Sequence, residues 1–132
     1  MPSGGCHCGA VRYSVEGEMH HNAVCHCQDC RRSAGALMVP WAAFDKNALT
    51  IEKGQPATYQ SSEHGERHFC GSCGTGLFYF NEAMLPGIVD IQAVTLDDAE
   101  ACPPQAHIQI ADALSWERTL ADLPQFDRFP GG

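Results

Sequence analysis

The sequence predicts a small, mainly β domain. Apolar and polar residues alternate in short runs, Gly and Pro interrupt those runs every few positions, and only two short stretches carry helix-boundary signals. At 132 residues the chain has the length of one compact unit, with no repeat, low-complexity tract or linker, so residues 1–132 are expected to form a single domain. A hydrophobic share of 44% with 18% charged residues describes a globular chain whose modest core would gain from a staple.

Taken in order, Val11, Tyr13 and Val15 alternate with Arg12, Ser14 and Glu16, the period of a half-buried strand over 9–17. Residues 24–27 also read as extended, and 28–33 as a short helical turn stopped by Gly35. Three β-prone runs follow at 37–44, 49–52 and 58–61, punctuated by Pro40, Lys53-Gly54 and Pro56. Glu63-His64-Gly65-Glu66 lies between extended 57–60 and 67–69 and predicts a hairpin that delivers Cys70 at its end. The aromatic run 76–80 suits a strand covered on both faces. Residues 87–96 read as a long strand and 106–110 as a short one. Ser115 as N-cap, an early Glu117 and a stop before Pro124 predict one short C-terminal helix.

The net charge of −8 argues against a nucleic-acid partner, since phosphate binding needs clustered Lys and Arg and only Arg31-Arg32 are adjacent. Nowhere does the chain offer the apolar stretch a membrane span requires, and Met1-Pro2-Ser3-Gly4-Gly5 lacks the basic and apolar regions of a signal peptide. A cytoplasmic location is expected, where thiols stay reduced and disulfides among the eight cysteines lose weight against metal ligation.

The cysteine spacing is more specific. In Cys70-Gly71-Ser72-Cys73-Gly74 two residues between the thiols form a tight turn, and the following glycine can take φ > 0 so that N–H groups face sulfur. In Cys6-His7-Cys8-Gly9 an extended backbone places residues i and i+2 on one side. These two pairs together make a four-thiolate site for structural zinc, closing a long loop. The cluster Cys25-His26-Cys27-Gln28-Asp29-Cys30 offers three thiols, and three ligands with a fourth position open is the arrangement of catalytic zinc. A second, closed structural site completed by Cys102, His26 or another histidine is the alternative. Two zinc ions per chain are expected, the second held less firmly because three exposed thiolates bind less securely than four.

The remaining candidates have plainer readings. His7 and His26 sit between ligand cysteines and point to the opposite face, as bystanders; His20-His21, His64 and His68 read as solvated, and His107 as an interior or cleft histidine. Arg31-Arg32 read as a solvated helix end, with recognition of a substrate carboxylate as the alternative. Trp41, Phe44 and Trp116 are expected in the core, and Cys102 as a free or packed thiol.

Gly5-Cys6-His7-Cys8-Gly9-Ala10-Val11, Cys25-His26-Cys27-Gln28-Asp29-Cys30-Arg31 and Phe69-Cys70-Gly71-Ser72-Cys73-Gly74, in this order, resemble the glutathione-dependent formaldehyde-activating enzyme family, which also contains centromere protein V. The ending from His107-Ile108 through Trp116 to Leu123-Pro124-Gln125-Phe126 is similar too. The resemblance implies coiled β-sheets like those of methionine sulfoxide reductase B and the zinc-binding Rab exchange proteins. It implies structural zinc on Cys6, Cys8, Cys70 and Cys73 and catalytic zinc on Cys25, Cys27 and Cys30. It further implies a carbon–sulfur lyase of the S-(hydroxymethyl)glutathione synthase type, with a small-molecule thiol such as glutathione as substrate. The rival reading from the residues is a non-enzymatic zinc module with two structural sites that recruits a protein partner.

Overall fold

Strand alternation sorts the side chains onto two faces of a large sheet, and that sorting positions everything else. The computed structural model describes residues 2–131. Its strands are β1 (Ser3–Gly5), β2 (Arg12–Val15), β3 (His21–Cys25), β4 (Val39–Asp45), β5 (Leu49–Lys53), β6 (Ala57–Gln60), β7 (Glu66–Phe69), β8 (Gly76–Phe80), β9 (Ile88–Gln92) and β10 (Ala106–Ile108), with one α-helix, α1 (Gln28–Ala34). Strands β1, β2 and β5 form a three-stranded antiparallel sheet in the order β1-β2-β5. The other seven run β10-β3-β4-β9-β8-β7-β6, antiparallel throughout except for the β10–β3 pair.

In the large sheet, register places Ala42, Ile91 and Phe78 in one row, with Phe44 and Val89 beside them. All are buried, and the small sheet covers this face with Val11, Tyr13 and Val15. Tyr13 meets Phe78 edge to face at 5.1 Å, a favoured aromatic geometry, and its hydroxyl reaches Thr95 Oγ1 at 2.7 Å. The opposite face carries Cys25, Val39, Trp41, Gln92, Asp90, Tyr79 and Arg67, brought together by the pairs Cys25–Val39, Trp41–Gln92, Asp90–Tyr79 and Tyr79–Arg67. Cys25, Cys30, Val39 and Trp41 make a second, smaller buried cluster there.

The mainly β class, the 57–69 hairpin and the helical turn ending at Gly35 stand as expected, Gly35 adopting φ 61° at the C-cap. Three expectations need correction. The apolar run 87–96 is a strand only to Gln92; Ala93–Thr95 is a 3₁₀ turn that swings Leu96 back to bridge Gly4. The C-terminal helix at Ser115–Asp122 is 3₁₀, and Ser115 does not cap it: Leu114 holds the N-cap position with no side-chain bond. A short 3₁₀ turn at Ile110–Asp112 precedes it. Finally, Trp116 lies 55% exposed rather than in the core, because its helix follows the exposed edge strand β10, where no second layer covers it.

Candidate functional site

Cys6 and Cys8 lie in the turn between β1 and β2 of the small sheet, and Cys70 and Cys73 in the turn between β7 and β8 of the large one. The two turns repeat one design: Gly9 N–H donates to Cys6 C=O and Gly74 N–H to Cys70 C=O, each glycine at φ 82°. That left-handed value is where a side chain is strained, so the glycine after each cysteine pair lets both sulfurs face inward. Val11 N–H donates to Cys6 Sγ at 3.2 Å and Cys73 N–H to Cys70 Sγ at 3.4 Å, so each turn points an N–H at the sulfur of its first cysteine. The four Sγ atoms lie within 4.8 Å of one another. Cys6 to Cys8 is 3.7 Å and Cys8 to Cys70 is 3.8 Å. A tetrahedron of sulfurs about 2.3 Å from zinc has edges of about 3.8 Å, so this donor set fits the ion.

The second group is built where β3 runs into α1. Its three Sγ atoms, from Cys25, Cys27 and Cys30, also lie within 4.8 Å of one another. Cys27 is the N-cap of α1, its sulfur accepting from Cys30 N–H at 3.2 Å, and this folds the segment so that residues 27 and 30 face the same point. Thiolate donors in a helix-capped turn again suit zinc. The expectation of three exposed thiolates is corrected: Cys25 and Cys30 are buried and Cys27 is half-buried. All eight cysteines are free thiols. Cys102 belongs to neither group and lies against Asn22 Nδ2 at 3.4 Å and Met19 Sδ at 3.6 Å.

Burial pushes the Cys25 thiol up to about 12 and raises Cys30 as well. Cys73 is held down to about 5, first by the Thr75 hydroxyl 3.3 Å from its sulfur and then by the Thr75 N–H. Near neutral pH, Cys25 therefore keeps a proton that metal must displace, as does Cys8 of the first group, pushed up to about 11, whereas Cys73 has already lost its own. Each proton to be displaced costs up to about tenfold in affinity per pH unit at either group, and the second group, with Cys25 and Cys30 both raised and three thiols against four, is the weaker holder as pH drops. Acid titration of the zinc-loaded protein in the presence of a chromophoric chelator is expected to release zinc from the Cys25 group first, at the higher pH. Simultaneous release, or the reverse order, would contradict the difference in proton load.

His26 is no bystander. It is almost fully buried, with Nδ1 at 3.0 Å from Glu117 Oε2 and Nε2 at 2.8 Å from His107 Nδ1. A carboxylate only accepts, so His26 Nδ1–H donates to Glu117 and His26 Nε2 accepts from His107 Nδ1–H. His107, expected inside, is itself exposed. The same C-terminal segment binds the ligand loop elsewhere: Ile108 C=O accepts from His26 N–H, Asp112 Oδ2 from Gln28 N–H at the start of α1, and Asp112 C=O from Arg31 Nη1. Arg31 is thus a tie rather than a solvated helix end. Glu117→Ala leaves the buried His26 Nδ1 without a partner and is expected to cost about 1–3 kcal/mol, read as a lower urea midpoint. Glu117→Gln keeps an acceptor and should lose less. An unchanged midpoint in Glu117→Ala would show that the latch contributes nothing.

A cavity of about 400 Å³ lies near this group, linked to it through Trp41 and Arg67, with none of the three cysteines in its lining. Two of its walls, Trp41 and Arg67, also approach Cys30: Trp41 packs in the same buried cluster, and Arg67 Nη2 lies 3.8 Å from Cys30 Sγ. Arg67 stacks over the Tyr79 ring at 4.9 Å. Ser33 of α1, Tyr59 and Gln92 extend the lining, which ends at Gly74 and Gly76 beside the first cysteine group. Sequence reasoning passed over Arg67, Gln92 and Glu117. No sequence signal marked Arg67, whose hairpin also carries Glu66 and His68; its pairing with Tyr79 is a matter of register.

Of the other histidines, exposed His20 meets Asp45 Oδ1 through Nε2 at 2.8 Å, and half-buried His68, which also lines the cavity, meets Glu66 Oε1 through Nε2 at 3.3 Å. His7 is exposed, with its N–H on Thr75 Oγ1. No helix among the described residues is long and apolar enough to cross a membrane.

Two thiol groups with spacings that could hold metal, on a two-sheet β scaffold, define a cysteine-rich β protein. Its family is shown by sequence: the model described as "Glutathione-dependent formaldehyde-activating enzyme" matches residues 1–112, and the chain belongs to that family, as the three cysteine motifs predicted. Among its relatives, a Halomonas elongata protein named provisionally as a glutathione-dependent formaldehyde-activating enzyme is 29% identical over 125 residues, covering 86% of this chain and 77% of its own. An uncharacterized lyase of Schizosaccharomyces pombe is 28% identical over 112 residues, covering 75% of this chain and 81% of its own. A crystal structure of a Rhodobacter sphaeroides protein shares the fold, with a TM-score of 0.64 at 22% identity over 80% of this chain and 98% of that one.

Proposed function

We propose that the protein is a zinc-dependent carbon–sulfur lyase of the S-(hydroxymethyl)glutathione synthase type, joining a thiol such as glutathione to formaldehyde at Cys25, Cys27 and Cys30. The observation that carries this reading is the three-cysteine group beside a cavity large enough for an organic thiol. In the reaction the thiol sulfur forms a bond to the aldehyde carbon, the carbonyl π bond breaks, and the thiol proton ends on oxygen. Zinc, when bound, supplies an electrophilic centre that lowers a thiol's pKa or polarises an aldehyde oxygen.

The chain's own groups do the rest. Cys25, Cys27 and Cys30 hold the ion, Trp41 walls the group from water, and Arg67 offsets the thiolates' negative charge. Cys6, Cys8, Cys70 and Cys73 hold a second zinc whose role is structural. An open fourth position is supported by the lack of another ligand within the group among the described residues: His26 commits both ring nitrogens to Glu117 and His107, and Cys102 lies with Asn22 and Met19. That is the point on which a purely structural zinc module would differ.

Because thiols and formaldehyde combine without help, the test is the rate above buffer. Zinc-loaded protein is expected to accelerate approach to the S-hydroxymethyl adduct from glutathione and formaldehyde. A rate equal to buffer with two zinc ions bound would remove this substrate pair.

A further inference from the structure

We propose that the cavity beside Cys30 selects a thiol that carries its own carboxylate, and that Arg67 is the residue that reads this charge. The inference rests on the reading of Cys25, Cys27 and Cys30 as the thiol-handling centre. Three observations point to it. The chain carries 16 Asp and Glu, yet none lines this cavity, where Arg67 is the only permanently charged side chain. Arg67 is also uncommitted: Arg12 pairs with Asp97 and Lys46 with Glu82, while Arg67 has no carboxylate partner and its Nε makes no hydrogen bond. Lastly, the guanidinium is held in place, stacked on Tyr79 and with Nη2 on Cys30 Sγ, so a carboxylate it binds lies close to the reacting sulfur.

An arginine fixed over a ring, facing a cavity and lacking an acidic partner is poised for an anion, and its planar fork suits a carboxylate. The Trp41, Tyr59 and Phe69 side chains supply an apolar wall for the body of the ligand. The neighbouring thiolates do not satisfy Arg67 fully, since a sulfur at 3.8 Å takes one of five N–H donors. Arg67 is therefore a specificity-determining residue, and an uncharged thiol of the same size is discriminated against.

The test is calorimetric titration of the zinc-loaded full chain with 3-mercaptopropionate and with 3-mercaptopropionamide, which differ only in the charged group. Wild type is expected to bind the carboxylate about tenfold or more tighter. In Arg67→Gln, with zinc content checked, that preference should shrink to about twofold or less, while Arg67→Lys retains part of it and serves where the glutamine variant loses metal. Equal binding of both thiols by wild type, or an equal loss of both in Arg67→Gln with zinc retained, overturns the assignment of Arg67. If zinc-loaded wild type binds neither thiol, the thiol-centre reading falls as well, an outcome distinct from the other two.

Discussion

Cys70→Ser is expected to abolish cooperative folding. Cys70 is fully buried and belongs to the only group of four sulfurs among the described residues, which joins the turn after β1 to the turn after β7. Cys8 and Cys70 stand 62 residues apart, so a zinc ion held there would close a loop whose entropy in the unfolded chain is worth about 4 kcal/mol by the cross-link relation. Structural zinc in small peptides contributes about 10–16 kcal/mol, comparable with the about 5–15 kcal/mol that stabilises a whole domain. Such a staple also crosses between the two sheets, adding to their shared core and to polar ties such as Tyr13 to Thr95, Arg12 to Asp97 and His7 N–H to Thr75. A circular-dichroism melt of Cys70→Ser should show no sharp transition, and metal analysis should find the first site empty. A cooperative melt within a few degrees of wild type would refute the structural role.

Cys27→Ser should have the opposite profile. Cys27 is half-buried, and its role in the backbone is to cap α1 by accepting from Cys30 N–H, a bond that serine also makes. The helix and the sheet face behind it therefore persist, with a stability change of about 1 kcal/mol or less relative to wild type stripped of metal at that group. The reactive centre does not persist, because two thiolates and a hydroxyl make a poor zinc site. One zinc ion per chain in place of two, a wild-type-like melt and a glutathione–formaldehyde rate equal to buffer are the expected results. Activity retained at one zinc per chain would move the chemistry away from Cys25, Cys27 and Cys30.

The two thiol groups were legible in the sequence because their geometry is local. A Cys-x-Cys or Cys-x-x-Cys turn followed by glycine aims both sulfurs wherever it occurs, and the strands around it announce themselves by alternation. Contacts made across the chain were not legible. His26 and Glu117 are 91 residues apart, and nothing in either neighbourhood marks them as partners. Nothing in the sequence singled out Arg67, and only register places it beside Tyr79, in line with Asp90, on the face that bears Cys25. Composition also misled at two places. The apolar run after Gly87 does not reveal that Ala93–Thr95 tightens into a 3₁₀ turn, and Trp116 looks like core although its helix follows an edge strand with no layer above it.

The parallel pairing of β10 with β3 also fixes an order of manufacture. The first four-sulfur group is complete, with its supporting Gly74 and Thr75, by residue 75, so it can close while the last third of the chain is still being synthesised. The Cys25 loop, by contrast, gains its latch only when Ile108, Asp112 and Glu117 have emerged. A nascent chain thus has its first thiol group assembled before its Cys25 loop is latched, and a truncation before Glu117 would leave that loop loosely held.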